Sequence, residues 1–312
     1  MPAAPSLPLS AQEFSESVRL CRPIDAARLD RVLRLDSDRA VVEVQASVTW
    51  RTLAAQLRPG DAQVGALRTT RASIGESIAW NAAGPDGRPA VTHVESLTMV
   101  TPDGQLRRIN RISNPALFAL AVGGQGLFGA LYSVTLRLES LARAVSEAEP
   151  AETRARPETG AATRKLTLLV PPGDVDAFLG ETRERCAEWR IPLESVEVRR
   201  IRQEDETFLR WAPRELVEVC FGLGAGATLG NTVRATQLRR ELIDAAISRG
   251  GSFPIACTPE ATRAQTQACY PQLASFLAEQ RRIDPCEKMA NAWSRHQRSL
   301  LAREECEVRW DR

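Results

Sequence analysis

Two glycine-containing segments of this 312-residue chain could bring backbone amides close to a phosphate group. The first is SIGESIAWNAAG, which contains Gly75 and Gly84, and the second is GGQGLFG, from Gly123 to Gly129. Glycine has no Cβ atom and adopts positive φ readily, so its amide can approach a phosphate group closely. The second segment precedes a predicted strand, whereas a P-loop or a Rossmann fingerprint precedes a helix. A tight turn is therefore the alternative interpretation of that segment.

The pattern around these segments predicts the elements that position them. From Ala40, AVVEVQASVTW alternates apolar and polar residues, which predicts a half-buried strand, and a short helix is predicted from Arg51 to Leu57. SIGESIAWNAAG is interpreted as a loop before a hairpin of two strands, Val94 to Val100 and Gln105 to Ile109. A further strand is predicted from Ala130 to Leu138.

The second half of the chain begins with a change of composition. Residues 142–164 are polar and without apolar periodicity, which predicts a mobile loop or linker. The elements predicted beyond it are strand Lys165–Val170, helix Val175–Trp189, strands Glu194–Ile201 and Leu216–Leu223, a short helix through Phe208 and Trp211 between them, and helix Thr232–Arg249. This order predicts an α+β sandwich with helices on one face of an antiparallel sheet. The tail from Thr262 is predicted to be helical.

Composition excludes several classes of function. The chain has 41 basic and 39 acidic side chains, a net charge of +2, and no basic face that would predict nucleic-acid binding. No stretch has the roughly 18 to 20 apolar residues of a membrane helix, and the start lacks a signal peptide, so a cytoplasmic location is expected. The seven cysteines are scattered without a CxxC motif, which predicts reduced, mostly buried thiols and no metal site.

Three segments in order resemble the FAD-linked oxidases of the vanillyl-alcohol-oxidase type, which carry a PCMH-type FAD-binding domain. VVEVQASVTWRTLAAQL is similar to the family pattern V-x-V-x-A-G-V-x-W-x-x-L. SIGESIAWNAAG with THVESLTMVTPDGQLRRI is similar to T-x-G-G-x-I-A-x-N-x-H-G and its following hairpin. NPALFALAVGGQGLFGALYSVTLRL is similar to N-x-x-L-F-x-A-x-x-G-x-G-G-x-F-G-I-I-T. Each pattern alone is weak, but the three together in register make the resemblance specific.

The second half of the chain resembles the subgroup of alditol oxidases and decaprenylphosphoryl-ribose oxidase. The shared landmarks are Gly250-Gly251, Tyr270-Pro271, Asp284-Pro285, Asn291 and Trp293. The resemblance implies a truncated PCMH-type FAD-binding domain over residues 1–141, the linker 142–164, an α+β cap domain with an antiparallel sheet over 165–280, and a C-terminal segment, 281–312, that packs back on the first domain. It further implies oxidation of an alcohol, polyol or sugar-like hydroxyl by hydride transfer to non-covalent FAD.

The resemblance also implies a set of cofactor-lining residues, and none of them is a metal ligand. They are Ile74, Gly75, Ser77, Ile78, Gly84, Gly123, Gly124 and Gly129. The catalytic base is not assigned. The chain has few candidates for a base, and His93 is expected to be structural, His296 to lie on the surface and Cys257 to be a small buried residue.

Departures from the family pattern leave alternatives open. Gly75-Glu76 replaces a Gly-Gly pair, Ala83-Gly84 replaces His-Gly, and the first glycine is Gly60, so the glycine-rich N-terminal lobe is incomplete. Losing two or three pyrophosphate donors costs on the order of 4 to 6 kcal/mol, which predicts weak FAD binding or none. The alternatives are a flavin-free scaffold or binding module with a partner that supplies the missing lobe, and the product of a truncated or mis-started gene.

Overall fold

The chain divides into two compact units. The computed structural model describes residues 9–57, 72–84, 86–146, 152–155, 163–224 and 228–307. The first unit comprises Met1–Ala148, Glu206–Leu209 and Ala274–Arg298, and the second comprises Glu149–Asp205, Arg210–Leu273 and Ser299–Arg312. The domain boundaries predicted after residues 141, 164 and 280 stay a prediction, which limited proteolysis can test.

The first unit is built on a five-stranded antiparallel sheet in the order β1-β2-β5-β3-β4. Its strands are β1 (Val32–Asp36), β2 (Val41–Gln45), β3 (Val94–Val100), β4 (Leu106–Ile109) and β5 (Ala130–Arg137). The central strand β5 pairs Val134 with Val44 of β2 and with Leu97 of β3, and all three side chains are buried. The alternation of apolar residues along these strands therefore turns one face of the sheet toward the core.

Five short helices accompany this sheet. They are α1 (Ala11–Arg19), α2 (Trp50–Gln56), α3 (Ile74–Trp80), α4 (Pro115–Ala121) and α5 (Leu138–Ser146). Ser10 begins α1 in a capping box with Glu13, and Phe14 and Val18, four residues apart, lie on one buried face. The Phe14 ring packs 5.5 Å from that of Tyr132 in β5. This contact packs α1 against β5, the central strand of the sheet.

The second unit contains a four-stranded antiparallel sheet in the order β6-β8-β9-β7. Its strands are β6 (Glu152–Ala155), β7 (Thr163–Val170), β8 (Leu193–Ile201) and β9 (Leu216–Gly224). Among the described residues, the other α-helices are α6 (Val175–Glu188), α7 (Leu229–Ser248) and α8 (Arg263–Cys269) of the second unit, α9 (Leu273–Ile283), which lies almost entirely in the first unit, and α10 (Ala292–Glu307), which begins in the first unit and ends in the second. Helix α6 packs Phe178 against Phe221 of β9, with ring centroids 5.9 Å apart. Both units thus combine helices with antiparallel sheet, in agreement with the predicted α+β class.

Several predicted elements agree with the structure. The hairpin strands β3 and β4 pair antiparallel around the turn that contains Gly104, whose φ of 83° only glycine adopts without strain. Helices occupy most of the chain beyond Thr262, as expected. His296 is exposed on α10. Among the described residues, no helix is both long and apolar enough to cross a membrane.

One local prediction was wrong, because SIGESIAWNAAG contains helix α3 rather than a loop. Of residues 142–164, the structure describes 142–146, 152–155 and 163–164, which lie in α5, β6 and β7, and the rest of the predicted linker lies outside the described residues. Helix α5 forms because Leu138, Leu141 and Ala144, at a spacing of three, are all buried. No helix is described through Phe208 and Trp211.

The prediction of mostly buried cysteines was also wrong. Of the cysteines whose side chains are described, Cys186 is buried, whereas Cys21, Cys257 and Cys286 are exposed. Cys257 closes a turn in which its amide donates to the carbonyl oxygen of Pro254 at 3.0 Å, and a turn places its side chain at the surface. Within the described ranges, no cluster of His, Cys, Asp and Glu side chains could hold a metal ion.

Candidate functional site

Helix α3 holds four of the eight predicted cofactor-lining residues, and its first turn is hydrogen-bonded to the segment that follows strand β2. The amide of Ile74 donates to the carbonyl oxygen of Val48 at 2.8 Å, and the amide of Gly75 donates to that of Ala46 at 2.8 Å. A Cβ atom at Gly75 would lie 2.7 Å from the same Ala46 oxygen. Glycine at this position therefore allows a close approach of two protein backbones.

The remaining amides of this first turn are also occupied. Ser73 and Glu76 form a capping box, in which the Glu76 amide donates to Ser73 Oγ at 3.1 Å and the Ser73 amide donates to Glu76 Oε2 at 2.9 Å. The Ser77 amide donates to the Ser73 carbonyl oxygen at 3.1 Å. The helix N-terminus, where an anion would bind, is thus closed by the carboxylate of the chain's own Glu76.

The side chains of α3 that were predicted to line a cofactor lie in the protein core. Ile74 and Ile78 are fully buried. Ser77 Oγ accepts a hydrogen bond from Trp50 Nε1 at 2.8 Å and donates to the Ser73 carbonyl oxygen at 3.1 Å. These contacts attach α3 to α2. The structure therefore explains these residue types by packing within the first unit.

The second glycine segment contacts the C-terminal half of α3. The Gly123 amide donates to the carbonyl oxygen of Ile78 at 2.9 Å, and the Gln125 amide donates to that of Ala79 at 3.0 Å. The Gly124 amide donates back to Ala121 at 3.2 Å. Gly123 and Gly124 are thus brought together with α3, as the resemblance implies, through amides that already have acceptors.

Gly129 serves a different contact. It lies at the start of β5 with a φ of 150°, and a Cβ atom there would lie 2.5 Å from the carbonyl oxygen of Val100. Val100 ends strand β3, so Gly129 allows β5 to approach β3 closely.

Gly84, the last predicted residue, lies beside a buried polar cluster. A Cβ atom at Gly84 would lie 3.0 Å from Asp86 Oδ1 and 3.3 Å from His93 Nε2. His93 Nδ1 lies 2.8 Å from Ser140 Oγ, and His93 Nε2 lies 3.8 Å from Asp86 Oδ1. These contacts support the structural role that the sequence predicted for His93.

Asp86 is the charged centre of this cluster. Burial acts to raise the pKa of its carboxyl, but the contact with His93 and the hydrogen bond from the Arg88 amide, at 3.1 Å, outweigh burial and lower the pKa. Because the folded pKa lies below the ordinary value of about 3.9, ionised Asp86 stabilises the fold at neutral pH. This contribution is lost as the pH falls through the folded pKa.

Replacing Asp86 by asparagine is expected to lower the free energy of unfolding at pH 7 by about 1 kcal/mol, because one charge-assisted contact is lost. The difference from the unsubstituted protein should shrink as the pH is lowered below about 4, where the aspartate itself becomes protonated. Urea unfolding followed at a series of pH values measures both quantities. A difference that stays constant across the acid range would contradict the role given to ionised Asp86.

The C-terminal part of the first unit supports the second glycine segment. Asn291 Nδ2 donates to the carbonyl oxygen of Gln125 at 2.9 Å. The ring of Phe276 packs 5.1 Å from that of Phe128 and 6.2 Å from that of Trp293. Asn291 and Trp293, which the sequence singled out only as landmarks, therefore position the glycine segment.

The few side chains that could act as a base are engaged elsewhere. Tyr132 donates to the carbonyl oxygen of Leu9 at 3.4 Å, and Lys288 donates to that of Pro102 at 3.0 Å. Tyr270 is fully buried, which raises the pKa of its hydroxyl, and it donates to the carbonyl oxygen of Phe253. None of these contacts places a proton acceptor beside α3, so the base stays unassigned.

Comparison with known protein families indicates the cofactor of the first unit. Residues 10–110 match the family model of an FAD binding domain. The match runs from α1 to β4 and includes all of α2 and α3. The match supports FAD as the cofactor. It also supports the assignment of the chain as a protein of the FAD-linked oxidoreductase family with a PCMH-type domain. The second glycine segment lies beyond the matched residues, so its assignment rests on the resemblance alone.

The contacts of the glycine segments are those of packing within the first unit rather than those of a pyrophosphate site. The amides of Ile74, Gly75, Glu76 and Ser77 donate to protein oxygens, as do those of Gly123 and Gly124. These donors do not fit the phosphates of FAD in the structure as described.

Proposed function

We propose that the chain is an FAD-linked oxidoreductase that acts on an alcohol, polyol or sugar-like hydroxyl. The observation that carries the proposal is the FAD binding domain match, which covers four of the five strands of the first unit's sheet and helices α1 to α3. The α+β second unit, with its antiparallel sheet, supports the assignment of a cap domain. The substrate class comes from the resemblance of the second half of the chain to the alditol-oxidase subgroup.

FAD, when bound, supplies the acceptor for the hydride that leaves the substrate carbon. The contributions proposed for this chain are structural. Asn291 and the Phe276 cluster hold the glycine segment against α3, and the buried Asp86–His93 pair fixes the turn that follows α3. A pocket shaped by the second unit would select the substrate.

Titration of the purified full chain with FAD tests this proposal. Binding should quench the flavin fluorescence and shift the visible absorbance bands of the flavin, and a panel of alditols should then bleach these bands under anaerobic conditions. Absence of any flavin signal at a large excess of FAD would reject the proposal. Binding without bleaching by any hydroxyl compound would reject the substrate class and leave the FAD-binding function.

A flavin-free scaffold or partner subunit is the second candidate. The observation that favours it is the occupation of the α3 and glycine-segment amides by protein acceptors. Purification from the native source under mild conditions distinguishes the two candidates. A stoichiometric partner chain without flavin would support the scaffold, whereas flavin in the isolated chain would exclude it.

Replacing Glu76 by glutamine is expected to strengthen FAD binding about fivefold, because the carboxylate at the N-terminus of α3 no longer repels a phosphate. Repulsion between two unit charges about 4 Å apart in water is about 1 kcal/mol, which corresponds to this factor. Glutamine also forms a capping box, so α3 should remain folded. Fluorescence titration with FAD measures the change.

The matched control is Glu13→Gln, because Glu13 forms the same capping box with Ser10 on α1. This variant should bind FAD as the unsubstituted protein does. Equal affinities in all three proteins would mean that the FAD phosphates lie away from the N-terminus of α3.

A further inference from the structure

A cavity of about 480 Å³ lies within the first unit, at the end of the sheet where β2 and β3 begin and β5 ends. Five arginines line it: Arg39, Arg88, Arg111, Arg137 and Arg143. Its volume lies in the range of small-molecule sites. Neither α3 nor the second glycine segment contributes to its lining, so the cavity is separate from the predicted cofactor-lining residues.

The lining of this cavity, which we call the arginine pocket, has a positive surplus. Its carboxylates are Glu95, Glu139 and Glu206, and Asp86 forms an ion pair with the lining residue Arg88 at 3.4 Å, so that five arginines face four carboxylates and one positive charge is in excess. Arg111 and Glu206 form a bidentate ion pair with each other and do not contribute to the surplus. Arg39 and Arg143 are exposed at the surface, where their guanidinium groups can approach a ligand from solvent.

Arg137, which ends β5, is held in the wall of the pocket. Its Nη2 donates to the carbonyl oxygens of Thr92 at 2.9 Å and Val94 at 3.2 Å. Its Nε is buried without a hydrogen-bond acceptor, and the nearest carboxylate oxygen, of Glu95, lies 3.9 Å away. Burial and the neighbouring Arg111 lower the pKa of Arg137, so its charge is incompletely compensated by the protein.

We propose that the arginine pocket binds the phosphate groups of a phosphorylated small molecule. Guanidinium groups bind phosphate through paired, charge-assisted hydrogen bonds, and a phosphorylated ligand would compensate the surplus charge and give Arg137 Nε an acceptor. The volume accommodates more than one phosphate group. This proposal does not depend on the proposed oxidoreductase function, because it uses different residues.

Isothermal titration of the full chain with inorganic pyrophosphate tests the proposal. The variants are Arg39→Gln, Arg143→Gln and Arg137→Gln, of which the first two replace exposed side chains. Each is expected to weaken pyrophosphate binding about tenfold, as one charge-assisted contact of about 1.4 kcal/mol is lost. Raising the salt concentration should weaken binding by the unsubstituted protein as well.

The matched control is Arg34→Gln, because Arg34 belongs to the same β1–β2 hairpin as Arg39 but does not line the pocket, and its side chain is 69% exposed. This variant should bind pyrophosphate as tightly as the unsubstituted protein. Equal losses in Arg34→Gln and Arg39→Gln, or no pyrophosphate binding at all, would overturn the proposal. Tighter binding of succinate than of pyrophosphate would overturn the assignment to phosphate.

A competition experiment identifies the source of the phosphate. Displacement of pyrophosphate by FAD, lost in Arg39→Gln and Arg143→Gln, would mean that the pocket holds the phosphates of FAD. Simultaneous binding of FAD and pyrophosphate would mean that a different phosphorylated ligand occupies it. Both outcomes support a phosphate site in the arginine pocket. A complete failure of FAD to bind would contradict only the proposed oxidoreductase function.

Discussion

Replacing Gly124 by alanine is expected to lower the free energy of unfolding of the first unit by about 3 kcal/mol. A methyl group at this position would overlap the carbonyl oxygen of Leu120 and lie 3.2 Å from that of Ala121. Both oxygens belong to the last turn of α4, which cannot yield as a flexible side chain could. Urea unfolding of the protein without cofactor, followed by hydrogen exchange in peptides from β5, measures the loss in this unit.

Gly126→Ala is the matched control, two residues away in the same segment. Gly126 has a φ of 73°, but no atom lies within 4 Å of the place that its Cβ would take. Its replacement should therefore cost only the strain of the left-handed conformation, about 1 kcal/mol. Equal losses in the two variants would contradict the close packing of this segment on α4.

The same pair of variants separates a packing role of the segment from a cofactor role. If Gly124 serves mainly to bind FAD, the protein without FAD should keep its stability in Gly124→Ala and lose only affinity for the flavin. The hydrogen bonds of Gly123 and Gln125 to α3 favour the packing role, because the backbone N–H group of each residue already donates to a carbonyl oxygen of α3 and is not available to a ligand.

Local signals in the sequence predicted the parts of the fold that depend on near neighbours. The alternating residues on either side of Pro102 and Gly104 predict the β3–β4 hairpin. Proline and glycine prefer the backbone dihedral angles that their positions in this turn require. The capping boxes of α1 and α3, Ser10 with Glu13 and Ser73 with Glu76, are also local signals. The Ser73–Glu76 spacing alone is enough to predict that α3 is a helix and that Glu76 caps its N-terminus.

The arginine pocket could not be predicted in this way. Its arginines come from a hairpin, a turn, the segment after β4, the end of a strand and a helix, and the first and last of them, Arg39 and Arg143, are 104 positions apart in the sequence. Only the pairing of β2 and β3 with β5 brings Val41 beside Arg137 and Val94 beside Leu136. In a chain with balanced charge, the composition gives no sign of this local surplus.

Replacing Arg111 by methionine is expected to lower the free energy of unfolding of the first unit by about 2 kcal/mol. Arg111 Nη2 donates to the carbonyl oxygen of Val91 at 2.7 Å, and Nη1 donates to that of Val94 at 2.5 Å. Both valines are fully buried, and without Arg111 the carbonyl oxygen of Val91 would keep only the Val94 amide as a donor, and that of Val94 would keep Arg137 Nη2. The bidentate contact with Glu206 would be lost at the same time.

The matched control for this prediction is Arg107→Met, on strand β4, four residues before Arg111. Arg107 forms an ion pair with Asp103 at 3.0 Å, but 40% of its side chain is exposed, and such surface pairs contribute less than about 1 kcal/mol. Arg111→Lys should recover only part of the loss, because an ammonium group cannot bond Glu206 and two carbonyl oxygens in the planar geometry of a guanidinium. Hydrogen exchange in peptides from β3 and β4 measures all three variants. Full recovery in Arg111→Lys would mean that charge alone stabilises this contact.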